Sequence, residues 1–298
     1  MQASKGIAVT LAQSANRCYN PSQPLPPVRT VTGVSGHREV ALPVVALMIR
    51  CTTKTRACQA PIYQLSTTRE NAHRILSRLH EKGWLTRIER GRYLVVPMEG
   101  QAGWAEHEFV YASQLIVPYY ISYRSALAHW GLTEQLPHVV FVATTRRKRN
   151  LEFQGVRFRF VTIRPHKFFG YTEVTLDATP VQIASPEKTI IDCLNQEQYS
   201  GGVPDIAQAL IEAGERLNVA RLAEYALQMR SNVLIRRLGY LLDLVDAGQT
   251  EVLAQHVGNS GYAYLSRLFP RRELARSARW RLIVNVEPAQ LQRGREVV

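Results

Sequence analysis

The spacing of apolar residues between positions 66 and 97 changes period once. In "STTRENAHRILSRLHEKG" (66–83), Ala72, Ile75, Leu76 and Leu79 recur at i, i+3, i+4 and i+7, the stripe of an amphipathic helix. Thr67 stands at the N-cap position with Glu70 as its capping-box partner, while Lys82 and Gly83 supply a basic last turn and a stop. Beyond Gly83, "WLTRI" and "RYLVVP" are β-prone runs separated by Glu89-Arg90-Gly91, which predicts a tight hairpin. Trp84, Ile88, Tyr93 and Val95 are expected to pack that hairpin against the helix. Helix, glycine stop and hairpin together predict the second half of a winged helix-turn-helix, with the hairpin as the wing.

Upstream the pattern is weaker. The first two helices of such a domain should lie near 39–50 and 52–64, where Pro43 and Pro61 interrupt the periodicity. Residues 1–38 include "NPSQPLPPVRTVTGVSG", rich in Pro, Ser and Gly, and are expected to form a disordered extension. Met48, the next methionine, offers an alternative start. The expected organisation is this extension, a winged helix over 39–97, a linker over 98–104, and a larger domain over 105–298.

That larger domain reads as strand-rich to about 184 and helical after. "SYRSALAHW" (122–130) predicts a helix capped by Ser122 and stopped by Gly131. "HVVFVAT" predicts a strand, "LEF" and "VRFRFVTI" a hairpin about Gln154-Gly155, and "YTEVTL" and "VQIA" a pair about "DATP". Helices follow near 186–196, 204–213, 219–230, 232–246 and 249–257, then a final strand in "RWRLIVNV". The fold class is α+β, without regular βαβ alternation.

Composition narrows the function. The longest apolar run, "VALPVVALMI", is far short of the roughly 20 residues that span a bilayer, and no signal-peptide pattern opens the chain. The four cysteines form neither a disulfide framework nor a C-x-x-C pair, which suits a cytoplasmic protein. Net charge is +13, and residues 1–100 hold 14 Lys/Arg against 5 Asp/Glu, hence +9 of it. Such a local excess fits a phosphate-backbone binder and also fits a basic solvated surface.

The outer face of the 66–83 helix carries the residue types that read base edges. Thr68, Arg69 and Asn71, near its N-terminus, are candidates for bases; Thr67 and the first-turn amides suit a phosphate. Arg74 and Arg78 are candidates for phosphates, as are Arg87, Arg90 and Arg92 of the hairpin.

Catalytic signals are weak by comparison. In "SPEKTIID" (185–192), Glu187, Lys188 and Asp192 cluster, yet Ser185, Pro186 and Glu187 also make an ordinary helix start. No phosphate-loop, dinucleotide, zincin or nucleophile-elbow motif occurs, and neither a cofactor nor a metal is called for. His129, His138 and His166 read as core or surface residues, "KFFGY" (167–171) as packing, and "RRKRN" (146–150) as a solvated basic loop. The late arginines 267, 271, 272, 276, 279 and 281 could extend a nucleic-acid footprint.

Four blocks in order resemble the AbiEi family of antitoxins from bacterial type IV toxin–antitoxin systems: "KGWLTRIERGRYLVVP", "PYYISYRSALAHWGLTEQ", "HKFFG" and "SPEKTIIDCLNQEQYSGGVPDI". The resemblance implies a winged helix that represses its own operon at promoter inverted repeats, and a C-terminal domain that neutralises a nucleotidyltransferase toxin. It implies no enzymatic activity. The N-terminal extension and the proline-interrupted first helices depart from the family pattern. Two alternatives come from other classes: an enzyme acting on nucleic acid with the winged helix as targeting module, and a ligand-responsive one-component regulator.

Overall fold

A computed structural model describes residues 8–11, 47–50, 62–63, 69–89, 92–95, 107–135, 137–177, 179–248, 250–259 and 261–292. The chain divides into two compact units, Met1–Glu106 and His107–Val298.

In the first unit, five strands form one sheet in the order β3-β1-β2-β5-β4. They are β1 (Ala8–Leu11), β2 (Leu47–Arg50), β3 (Ile62–Tyr63), β4 (Leu85–Glu89) and β5 (Arg92–Val95), with helix α1 (Arg69–Glu81) between β3 and β4. The helix–hairpin half matches expectation. β4 and β5 pair antiparallel with Leu85 opposite Val95 and Arg87 opposite Tyr93, and the register shifts between Arg87 and Glu89. Gly83, at φ 74°, ends α1 in a Schellman arrangement: Trp84 N donates to Leu79 O at 2.9 Å and Gly83 N to His80 O at 2.9 Å.

Three features differ from expectation. β2 and β3 are strands within segments where helices were expected. A proline-interrupted apolar run of that length does not distinguish strand from helix, and antiparallel pairing of β2 with β1 and β5 decides it. β1 lies inside the stretch read as an extension. Trp84 is 46% exposed, with Lys82 Nζ 5.8 Å from its ring centroid, so it does not pack the hairpin on the helix. Leu76 and Leu85 are the buried pair instead, and His80 Nδ1 donates to the Leu85 carbonyl at 2.7 Å.

The second unit is built on a six-stranded mixed sheet in the order β10-β11-β6-β7-β9-β8. Its elements are α2 (Glu108–Leu115), β6 (Tyr120–Ile121), α3 (Tyr123–His129), β7 (Val139–Thr144), β8 (Leu151–Phe153), β9 (Val156–Thr162), β10 (Tyr171–Leu176) and β11 (Thr179–Ala184). β7 runs parallel to β9 along six residue pairs, from Val139–Arg157 to Thr144–Thr162, and is the buried strand at the centre. Gln154 and Gly155, at φ 51° and 75°, form the two-residue turn between β8 and β9.

Helices follow as expected: α4 (Pro186–Asn195), α5 (Val203–Ala213), α6 (Val219–Gln228) and α7 (Asn232–Leu244). The helix expected over 249–257 shrinks to α8 (Glu251–Ala254). The final strand is joined by two others in a small sheet, β12 (Ala263–Tyr264), β13 (Ala275–Ser277) and β14 (Leu282–Val284), before α9 (Pro288–Leu291). Trp280 anchors this sheet to α7. Its ring lies against Gly239, where a Cβ would overlap it, and its Nε1 donates to Asp243 at 2.6 Å.

Candidate functional site

α1 presents the expected polar face. Asn71, His73, Arg74 and Arg78 are exposed, while Leu76 is buried and Ile75 and Leu79 are half-buried. Arg87 on β4 is also exposed. Arg69 and Arg92 lie within α1 and β5, with their side chains outside the described residues. Thr67, Thr68 and Arg90 also fall outside them. The described part of the face is thus a helix and a hairpin strand on which Asn71, His73, Arg74, Arg78 and Arg87 are exposed.

The second unit also contains charged side chains, here withdrawn from water. α4 begins as the sequence indicates. Ser185 Oγ accepts from Lys188 N at 3.2 Å and Pro186 occupies the first turn. Glu187, Lys188 and Asp192 are then all buried, because α4 packs against α3, α5, α6 and α7 on its several sides. Lys188 Nζ donates to Asp192 Oδ1, and Asp192 Oδ2 accepts from Tyr120 OH at 3.0 Å and Ser122 Oγ at 2.9 Å. Ser122 therefore stands at the N-cap of α3 without capping it, since its hydroxyl serves Asp192.

Aromatic rings seal this centre. Tyr120 stacks on Tyr171 at 5.3 Å and meets Phe168 at 5.1 Å. Lys188 Nζ lies 4.7 Å from the Phe169 ring centroid. Burial, then the Asp192 charge, holds the Tyr120 phenol well above its ordinary pKa, and burial likewise pushes the Cys193 thiol up. Lys188 and Asp192 are paired beneath the rings, and Glu187 accepts from Ser185 Oγ at 3.0 Å and from Asn218 N at 3.3 Å. The cluster offers no approach for a substrate, so the SPEKTIID carboxylates and lysine act as architecture. Of "KFFGY", Phe168 and Phe169 are half-buried in ring contacts with Tyr120, Tyr171 and Tyr225, while Tyr171 is itself 41% exposed.

The remaining candidates separate similarly. His129 sits among Phe109, Trp130 and His107, and burial lowers its pKa. Arg146, Arg147 and Arg149 of the β7–β8 loop line its basic run, and Lys148 lies over Phe160 at 5.3 Å. Arg164, Lys167 and Arg267 form a further cationic neighbourhood. Lys167 donates to Asn195 Oδ1 at 3.0 Å, and its pKa is lowered by burial first and then by Arg164, with a smaller contribution from Arg267. Sequence patterning did not indicate this group, because its members come from separate loops. Among the described residues no group of three or more His, Cys, Asp or Glu could hold a metal ion, and no helix is long and apolar enough to cross a membrane.

Comparison with known proteins bears on the second unit. Residues 120–244 match the family model described as the AbiEi antitoxin C-terminal domain. The chain is similar in fold to the crystal structure of the RV2827C protein from Mycobacterium tuberculosis. That similarity has a TM-score of 0.53 and 15% identity, and covers 74% of this chain and 82% of that one. No curated protein matches the chain. The matched segment starts with β6 and ends with α7, so it encloses the whole Tyr120–Ser122–Lys188–Asp192 cluster. Over residues 120–244 the chain is thus similar to the AbiEi antitoxin C-terminal domain family.

Proposed function

We propose that the chain is the antitoxin of a type IV toxin–antitoxin operon and represses its own promoter. The family match over residues 120–244 carries this reading. In this reading the helix–hairpin half of residues 39–97 is the DNA-binding element, with α1 as recognition helix and the β4–β5 hairpin as wing. Thr68, Arg69 and Asn71 read bases; Thr67, Arg74, Arg78, Arg87, Arg90 and Arg92 hold phosphates. The exposed cations of α1 and β4 support it, as does the +9 balance of residues 1–100.

The second unit then counteracts a nucleotidyltransferase toxin in the cytoplasm, without catalysis of its own. The division follows from the chemistry. A face that must exchange water and counterions for DNA keeps its charges exposed, and a domain that must hold one shape buries and pairs them.

The test is co-expression with an AbiEii-type nucleotidyltransferase toxin, together with a reporter driven by the chain's upstream DNA. Relief of toxicity and lowered reporter output are expected. A chain that leaves both toxicity and reporter unchanged contradicts the proposal.

A further inference from the structure

Six arginines lie between positions 267 and 281, and four of them have polar partners. Arg272 pairs with Glu287 at 2.7 Å, Arg276 with Glu273 at 2.7 Å, and Arg279 with Glu251 at 2.5 Å. Arg281 donates to Asn259 O at 2.8 Å. Arg267 and Arg271 have no carboxylate partner among the described residues, and both line one pocket of about 320 Å³ between α7 and the β12–β14 sheet.

The pocket's inner wall is a third arginine. Arg237, on α7, is 2% exposed; its Nε and Nη2 donate to Tyr264 O at 3.2 and 2.9 Å, and its Nη1 to Glu197 Oε1 at 3.4 Å. Glu197, equally buried, also accepts from Ser266 Oγ at 2.5 Å and from Arg267 N at 2.5 Å. Asn285 Nδ2 holds the next turn through the carbonyls of Ser266, Phe269 and Pro270 at 3.1, 3.3 and 3.1 Å. The backbone carrying Arg267 and Arg271 is therefore fixed before any ligand arrives. Three guanidiniums against the one Glu197 carboxylate leave two positive charges at the pocket. Val233 and Phe269 give it an apolar side.

We infer that this pocket binds a small phosphate-bearing molecule, its phosphate held by Arg267 and Arg271 over the Arg237 wall. A phosphate dianion matches the excess of charge, and guanidiniums are suited to it because their planar forks bond phosphate oxygens bidentately. A fixed backbone reduces the ordering cost on binding. The two phosphate-holding arginines lie beyond residue 244, outside the segment that matches the antitoxin family, so the site is a feature of this chain's C-terminal sheet and independent of the proposed function.

The test is calorimetric titration of the full chain with inorganic pyrophosphate, and with a short DNA duplex in parallel. Pyrophosphate is expected to bind one to one. The pair Arg267→Ala with Arg271→Ala should weaken it by about tenfold or more, while Arg146→Ala with Arg149→Ala changes it less than about twofold, in line with the small worth of exposed charges. Absence of pyrophosphate binding, or equal loss in both variant pairs, overturns the inference. So does an Arg267/Arg271 double variant that loses duplex affinity and keeps pyrophosphate affinity, which would make the pocket part of a nucleic-acid surface.

Discussion

α1 and α4 are both helices that carry several charged side chains, and they use those charges in opposite ways. α1 turns Arg74 and Arg78 to solvent and buries Leu76. α4 buries Glu187, Lys188 and Asp192 along with its apolar residues. Exposed cations contribute little to stability and remain available to a partner. Buried ones are expensive to leave unpaired and so fix the positions of everything they bond. Both helices draw on charged residues, and access to water decides which become interface and which become framework.

The sharpest way to break this contrast is to unpair α4. Asp192→Ala leaves the Lys188 ammonium and the Tyr120 and Ser122 hydroxyls without their acceptor, and should destabilise the second unit by about 3–5 kcal/mol. Urea denaturation followed by near-UV dichroism measures it. Lys188→Met combined with Asp192→Leu should regain part of the loss, since both charges then leave the interior together.

A smaller effect is expected at the junction of α7 with the C-terminal sheet. Gly239→Ala drives a methyl into the Trp280 ring and should cost about 1–3 kcal/mol by overpacking, read as a lowered melting temperature. The exposed helix should respond in another quantity altogether. Arg74→Ala with Arg78→Ala should leave stability within about 0.5 kcal/mol. The same pair should reduce the salt dependence of DNA binding by about one unit of slope for each phosphate that the helix ceases to neutralise. An unchanged slope would remove both arginines from the phosphate set. Smallest of all is Trp84→Ala. Nearly half of its surface is in water, so unfolding should shift by no more than about 0.5 kcal/mol. A destabilisation several times larger would return Trp84 to the core.

Most elements of the second unit, and the helix–hairpin of the first, were legible along the chain, because caps, glycine stops and period changes are local signals. Ser185, Pro186, Gly83 and the Gln154-Gly155 turn all act within a few residues of themselves. The long-range bonds that give those elements meaning were not. Asp192 is bonded by Tyr120 across 72 positions, and Glu197 by Ser266 across 69, separations that no periodicity records. The same limit explains Ser122, a correct N-cap by type whose hydroxyl is claimed by a distant carboxylate. It explains Trp84 too: sequence marks a large apolar residue beside a helix, but only pairing register and helix packing show that Leu85 is the residue turned inward. Pairing with β1 and β5 likewise made a strand of Leu47–Arg50, where the winged-helix pattern had placed a first helix.

The central claim is that the exposed face of α1 is a DNA-reading surface. Fluorescence anisotropy with the chain's own upstream DNA against a scrambled duplex, over several salt concentrations, tests it most directly. The account predicts tighter binding to the upstream DNA at physiological salt. It also predicts that an Arg69→Ala, Asn71→Ala double variant loses about 1–3 kcal/mol of that preference for each base it no longer reads, while keeping its non-specific affinity. Equal, steeply salt-dependent binding to both duplexes, unaltered in its ratio by the variant, would contradict it and leave α1 as a basic solvated helix.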